Sequence, residues 1–179
     1  MEQKKKFIES EILTWSITAG LSRGTRVYKE GIEELDKKPS KEFLREEIPK
    51  RFGHSYHADS NTHIGNLRTL KEDIDKDKKC LSILDGQKIY FGRIQKIVNL
   101  YLKYCWVCFN DPKPVHCPFD RIILHDGLSL RNISWTSMTE DQYTEEVLTK
   151  AKEVAGGFEK ITEWEIDFFN NANPTYLNV

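Results

Sequence analysis

Three groups of residues have the types and the spacing to do chemistry. His54-x-x-His57-x-Asp59-x-x-x-His63 places three imidazoles and a carboxylate in one short stretch. Such a set could make a metal site or an acid–base site. Its polar, turn-rich setting suits plain surface histidines equally. Cys105-x-x-Cys108, followed by His116-Cys117, supplies four candidate zinc ligands. Both thiols of the first pair lie in an apolar stretch, which suits buried thiols as well. There is no second Cys-x-x-Cys, and Trp106 and Val107 stand where zinc knuckles carry Gly or Pro. The expectation is therefore no cofactor, with zinc as the alternative. The third group is Gln95, Lys96, Asn99 and Lys103, which line one helical edge together with Gly92. Two ammonium groups, two amides and a glycine that permits close approach would suit a phosphate or a nucleotide. Asp120 joins this set in one of two ways. It sits where a carboxylate favours a helix N-terminus, or it stands against Lys96 or Lys103 in a polar pocket.

These groups need elements to position them. The polar edge belongs to the longest helix the sequence predicts, about residues 86–109, whose other residues are apolar over more than half the circumference. A helix of that character is contacted on several sides. Further helices are expected at 4–19, with Phe7, Ile8, Ile12, Trp15 and Ala19 inward, and at 25–37, ended by Pro39. Others are expected at 41–48, 61–74, 118–126, 140–155 and over FEKITEWEIDFFN. Gly20 and Gly24 break the first. Thr139 and Gln142 have the spacing of a capping box, and Gly156-Gly157 stop the helix it opens. The prolines of NDPKPVHCP forbid a helix there. LSLRNISWTSM reads as extended, with Trp135 as a lid over the bundle and Trp164 in the core. The fold expected is all-α: a single compact bundle of seven to eight helices around the 86–109 helix. Residues 1–55 would form an N-terminal lobe, 56–170 the core and 171–179 a loose tail.

Composition narrows the function classes. The 179 residues include 27 Lys and Arg against 28 Asp and Glu, so no global field draws the protein to nucleic acid or to an anionic membrane. Apolar residues are 39% and charged residues 31% of the chain, a globular balance rather than a disordered one. No apolar run reaches the roughly 18–20 residues of a spanning helix. Four cysteines without a secretory signal point to free thiols in the cytoplasm. P-loop, GxGxxG, GxSxG and HExxH motifs are all missing.

Two resemblances add to this. Arg51-x5-His57 resembles the R-x4-6-H motif of HEPN ribonucleases, small helical domains that cut RNA without metal. That resemblance implies Arg51 and His57 as catalytic residues acting on the scissile phosphate and the 2′-hydroxyl. Gly53 and Pro49 depart from the helix that carries the motif in the family. The segments GRIQKIVNLYLKYCW, HCPFDRIIL, SWT and TEWEIDFF, in that order, resemble a scattered set of uncharacterised bacterial proteins. This implies a bacterial or mobile-element origin, with a toxin–antitoxin or defence setting among the options, and names no activity. The function expected is a helical binding protein that takes an anionic ligand, nucleic acid or a protein partner on the polar edge, with a homodimer among its assemblies. The alternative is a ribonuclease, HEPN-like or metal-dependent, centred on Arg51, His54, His57 and His63.

Overall fold

The computed structural model describes residues 2–22 and 26–172. Among these the chain is all-α, with seven α-helices: α1 (Glu2–Leu21), α2 (Lys38–Arg51), α3 (Ser60–Lys76), α4 (Lys78–Ile83), α5 (Phe91–Phe109), α6 (Leu148–Ala155) and α7 (Ile161–Ala172). π-helical turns at Ile123–Gly127 and Gln142–Val147 and short 3-10 turns supplement them. No described residue belongs to a strand; one antiparallel bridge joins Tyr28 to Leu84.

α5 is the axis, and its composition is the reason. Ile94, Ile97, Val98, Tyr101, Leu102 and Cys105 are all buried. α1 lies along one side of it, antiparallel, with Gly20 against Ile97 and Glu9 accepting from the Tyr101 hydroxyl at 3.0 Å. Gly20 is what lets the two backbones approach, because a Cβ there would collide with Ile97. A Cβ at Gly92 would likewise collide with the Trp135 carbonyl and Met138, so the 135–138 segment rests directly on the first turn of α5. Met138 completes the contact by accepting the Gly92 N–H at 3.0 Å, one of the donors a helix start leaves open.

The helix ends follow local chemistry. Asp59 caps α3 by accepting the Thr62 N–H at 2.8 Å, and Asp77 caps α4 through the Cys80 N–H at 2.8 Å. The capping box forms: the Gln142 N–H donates to Thr139 Oγ1 at 3.2 Å, and Gln142 Oε1 accepts the Thr139 N–H at 3.1 Å. Gly156 ends α6 at φ 77°, a left-handed backbone that glycine adopts without steric cost.

Several expected elements differ. The expected 25–37 helix is reduced to a 3-10 turn at Glu34–Lys37, since Gly31 takes φ 78° and Tyr28 pairs with Leu84 instead. Pro39 does not stop that piece; it occupies the first turn of α2, where its missing N–H is harmless. The central helix starts at Phe91 rather than 86, because Gly86 and Gln87 both take positive φ. The 128–138 stretch is a run of turns, and Trp135 is buried over α5 as a lid should be. The inward face of α1 is also corrected. Ile12, Leu13, Ile17 and Leu21 are buried, whereas Phe7, Ile8 and Trp15 are 66, 45 and 60% exposed. Apolar residues occur on every side of α1, so periodicity alone cannot choose among its faces. Gly24 and residues 173–179 of the tail lie outside the described residues.

Candidate functional site

The polar edge of α5 is an interior feature. Gln95 and Asn99 are fully buried and Lys96 is 7% exposed, which corrects the expectation of an open strip. The edge faces α3 and the 116–120 segment, and its amides are hydrogen-bonded throughout. Asn99 Nδ2 donates to the Cys117 carbonyl at 3.0 Å and Gln95 Oε1 at 3.3 Å. Gln95 Nε2 donates to the carbonyls of Phe119 (2.8 Å) and Gly92 (2.9 Å), and Gln95 Oε1 accepts the Phe119 N–H at 3.2 Å. These bonds peg the proline-rich segment to α5 where no helix could form.

Two buried histidines extend this into a spine. His63 on α3 lies 2.7 Å from Asn99 Oδ1 through Nε2 and 2.9 Å from the Tyr56 hydroxyl through Nδ1. His116 lies 2.8 Å from the Tyr143 hydroxyl through Nδ1 and 2.9 Å from Ser60 Oγ through Nε2. The two rings stand edge to face with centroids 5.1 Å apart. Burial pushes His63 down to about 4 and His116 well below its usual value, so both are neutral near pH 7. The network then fixes the His63 tautomer. Asn99 Oδ1 can only accept, so His63 carries its proton on Nε2. Both partners of His116 are hydroxyls, Tyr143 at Nδ1 and Ser60 at Nε2, and each can donate or accept, so the ring is satisfied in either tautomer. Ser60 lines a concavity of about 450 Å³ beside Arg68 and Phe158. The 2.9 Å contact to His116 ties Ser60 into the spine at the edge of that concavity.

The cationic end of the edge is engaged too. Lys96 Nζ lies 3.3 Å from Asp120 Oδ2 and 4.3 Å from the Trp135 ring centroid. Asp120 serves two contacts, since its Oδ1 also accepts the N–H groups of Ile122 (3.0 Å) and Ile123 (3.3 Å) at the start of the turn that follows. Lys103 donates to both Glu165 oxygens at 2.9 Å, tying α7 to α5. Burial raises the Glu165 pKa, a sign that its charge depends on that lysine. An incoming anion would have to displace Glu165 to reach Lys103.

The other candidate sets do not converge. In the histidine stretch, His54 bridges Asp111 (2.6 Å) and Glu9 (3.0 Å), His57 is exposed, Asp59 caps a helix and His63 faces the core. Arg51 is held by Glu47 at 2.9 Å and Asp73 at 2.6 Å, and no hydrogen bond joins it to His57 among the described residues. Cys105 and Cys117 are buried while Cys108 is exposed, and burial pushes the Cys105 thiol up to about 12. Thiolate is the form that binds metal, and both His116 nitrogens already have partners. Among the described residues no group of three or more His, Cys, Asp or Glu converges to hold a metal ion.

One surface is different in kind. Between the 3-10 turn at 34–37, the first turns of α2, and α4 lies an open groove of about 790 Å³. Leu35, Phe43 and Ile83 supply apolar surface in it, and Asp36, Glu42, Glu46 and Asp77 supply carboxylates. Lys38 and Lys79 are the cations of its lining. Leu35 is 71% exposed at the lip. Asp36 and Glu42 have no ion-pair partner among the described residues, and Glu46 reaches only Lys50, at 3.9 Å. The sequence did carry a signal for it: Glu42 and Glu46 are four apart on α2, on the side away from Leu44 and Ile48.

Comparison with family models, with curated proteins and with solved structures finds no match. Among the described residues no helix is long and apolar enough to cross a membrane.

Proposed function

We propose that the chain is a protein-interaction module whose groove takes a basic segment of a partner with one apolar face. The observation that carries this reading is the pairing, in one open groove, of apolar surface with the carboxylates of Asp36 and Glu42, which have no ion-pair partner among the described residues. A helix laid into such a groove buries its apolar stripe and presents lysine or arginine to the rim. The anionic-ligand reading gives way because the α5 edge is buried and paired. The volume lies within the range of about 300–1,000 Å³ common for binding clefts.

The test is fluorescence anisotropy with a short labelled helical peptide carrying leucine along one face and lysine elsewhere. The same peptide with glutamate for lysine is the control. Saturable binding of the lysine peptide, weakened by salt and at least tenfold by Glu42→Lys with Glu46→Lys, is the expected result. Equal binding of both peptides, or no effect of the double reversal, removes the reading.

A further inference from the structure

We infer that the groove's partner is a second copy of this chain, docking through Lys4–Ile8 at the start of α1. The inference rests on the groove reading above and names its occupant. Lys4-Lys5-Lys6-Phe7-Ile8 is a compact basic segment followed by two large apolar residues. Phe7 and Ile8 are 66 and 45% exposed, and Trp15 extends the same side of α1 two turns on, at 60%. Bulky apolar side chains grouped on one face of a helix are unusual unless something covers them. Lys4 has no ion-pair partner among the described residues, while Lys6 pairs with Glu2 at 2.8 Å in full exposure and Lys5 sits over the Phe109 ring. The segment therefore complements the groove, offering positive charge to Asp36, Glu42 and Glu46 and apolar surface to Leu35 and Phe43.

A chain cannot fill its own groove. Glu9 is held by His54, just past the C-terminal end of α2, and Lys4–Ile8 precedes Glu9. The groove is built on the opposite end of α2, around Pro39 and Glu42. The fourteen residues of α2 separate the two by about 20 Å at 1.5 Å per residue. Donor segment and acceptor groove are thus different surfaces at opposite ends, and the contact is head-to-tail. Such contacts close into rings or run on as open chains rather than stopping at a symmetric pair.

Sedimentation velocity on the full chain tests this. The wild type is expected to sediment faster as concentration rises, and less so at high salt. Phe7→Asp, in the donor segment, and Glu42→Lys with Glu46→Lys, in the groove, should each remain monomeric. All three positions are exposed or half-exposed, so circular dichroism should match the wild type. Mixed together, the two variants should form a complex of one copy each and nothing larger, because each retains one intact surface. A mixture that stays monomeric, or a wild type that assembles regardless of Phe7→Asp, overturns the inference. A monomeric wild type that still binds the lysine peptide overturns it and leaves the groove reading standing. A wild type that neither assembles nor binds that peptide overturns both.

Discussion

The buried spine and the open groove carry opposite polar arrangements. In the spine, Gln95, Asn99, His63, His116 and Tyr143 all meet partners from the same chain. In the groove, Asp36 and Glu42 meet none among the described residues. Two imidazoles and two amides, residue types associated with catalysis, are in the spine, where they hold the 116–120 segment and α3 against α5. The groove is built from Glu, Asp, Leu and Phe, which draw no attention in a sequence. Chemical capacity in a side chain says little until its partners are known, and here the partners are internal.

The contrast can be broken most severely at Asn99. Asn99→Leu strands the His63 Nε2–H and the Cys117 carbonyl in the core and should cost about 3–5 kcal/mol, read from urea denaturation. A loss below about 1 kcal/mol would mean that the spine is dispensable.

Acid is the next lever. Burial holds His63 at about 4 and His116 well below its usual value, whereas an unfolded histidine titrates near 6.5. Between those values the unfolded chain binds protons that the folded chain refuses. Stability is therefore complete above about pH 6.5 and falls as the pH drops towards 4, by up to about 1.4 kcal/mol per pH unit for each histidine. His54 has the opposite sign. The hydrogen bond it donates to Asp111 and the charge of Glu9 raise its pKa, so its contribution is present below about 6.5 and lost as pH rises through its folded value. Its side chain is 40% exposed, and solvent screening keeps that contribution minor. Urea midpoints measured from pH 7 to pH 5 should fall; a rise would reverse the assignment of neutral imidazoles.

Ser16 is the counterexample within the interior. Its hydroxyl is buried on α1 with no hydrogen-bond partner among the described residues. Ser16→Ala should leave stability unchanged or raise it by up to about 1 kcal/mol, since an orphaned hydroxyl costs rather than contributes. The smallest effect belongs to the groove. Reversing Glu42 and Glu46 together should move stability by less than about 0.5 kcal/mol per site, while peptide affinity falls at least tenfold. A large loss of stability there would mean that the rim is structural after all.

What the sequence made legible was what depends on near neighbours. The all-α class, α5, the Thr139–Gln142 box and the Gly156 stop are written within a few residues each. The stripe of Gln95, Lys96, Asn99 and Lys103 was legible as a stripe, but whether it faced water was not. Asn99 meets groups 18, 36 and 44 residues away, and nothing local announces them. The same limit hid Glu165 beneath Lys103, 62 residues apart. On α1 the difficulty was an excess of signal, since Trp15 looks as suited to the core as Ile17 does.

The spine also has a consequence for the order in which this chain becomes native. His63 must find Asn99 across 36 residues, Ser60 must find His116 across 56, and His116 must find Tyr143 across a further 27. Each is a loop to close before any bond repays it, so the fold is slower to complete than a bundle held by adjacent helices. During synthesis α3 and α5 leave the ribosome before the 116–143 stretch. Until residues 116–143 follow, Ser60 and half of Asn99 face a core that has nothing to offer them. A chain stalled in that interval has the spine incomplete, and Tyr143 supplies the last of its partners.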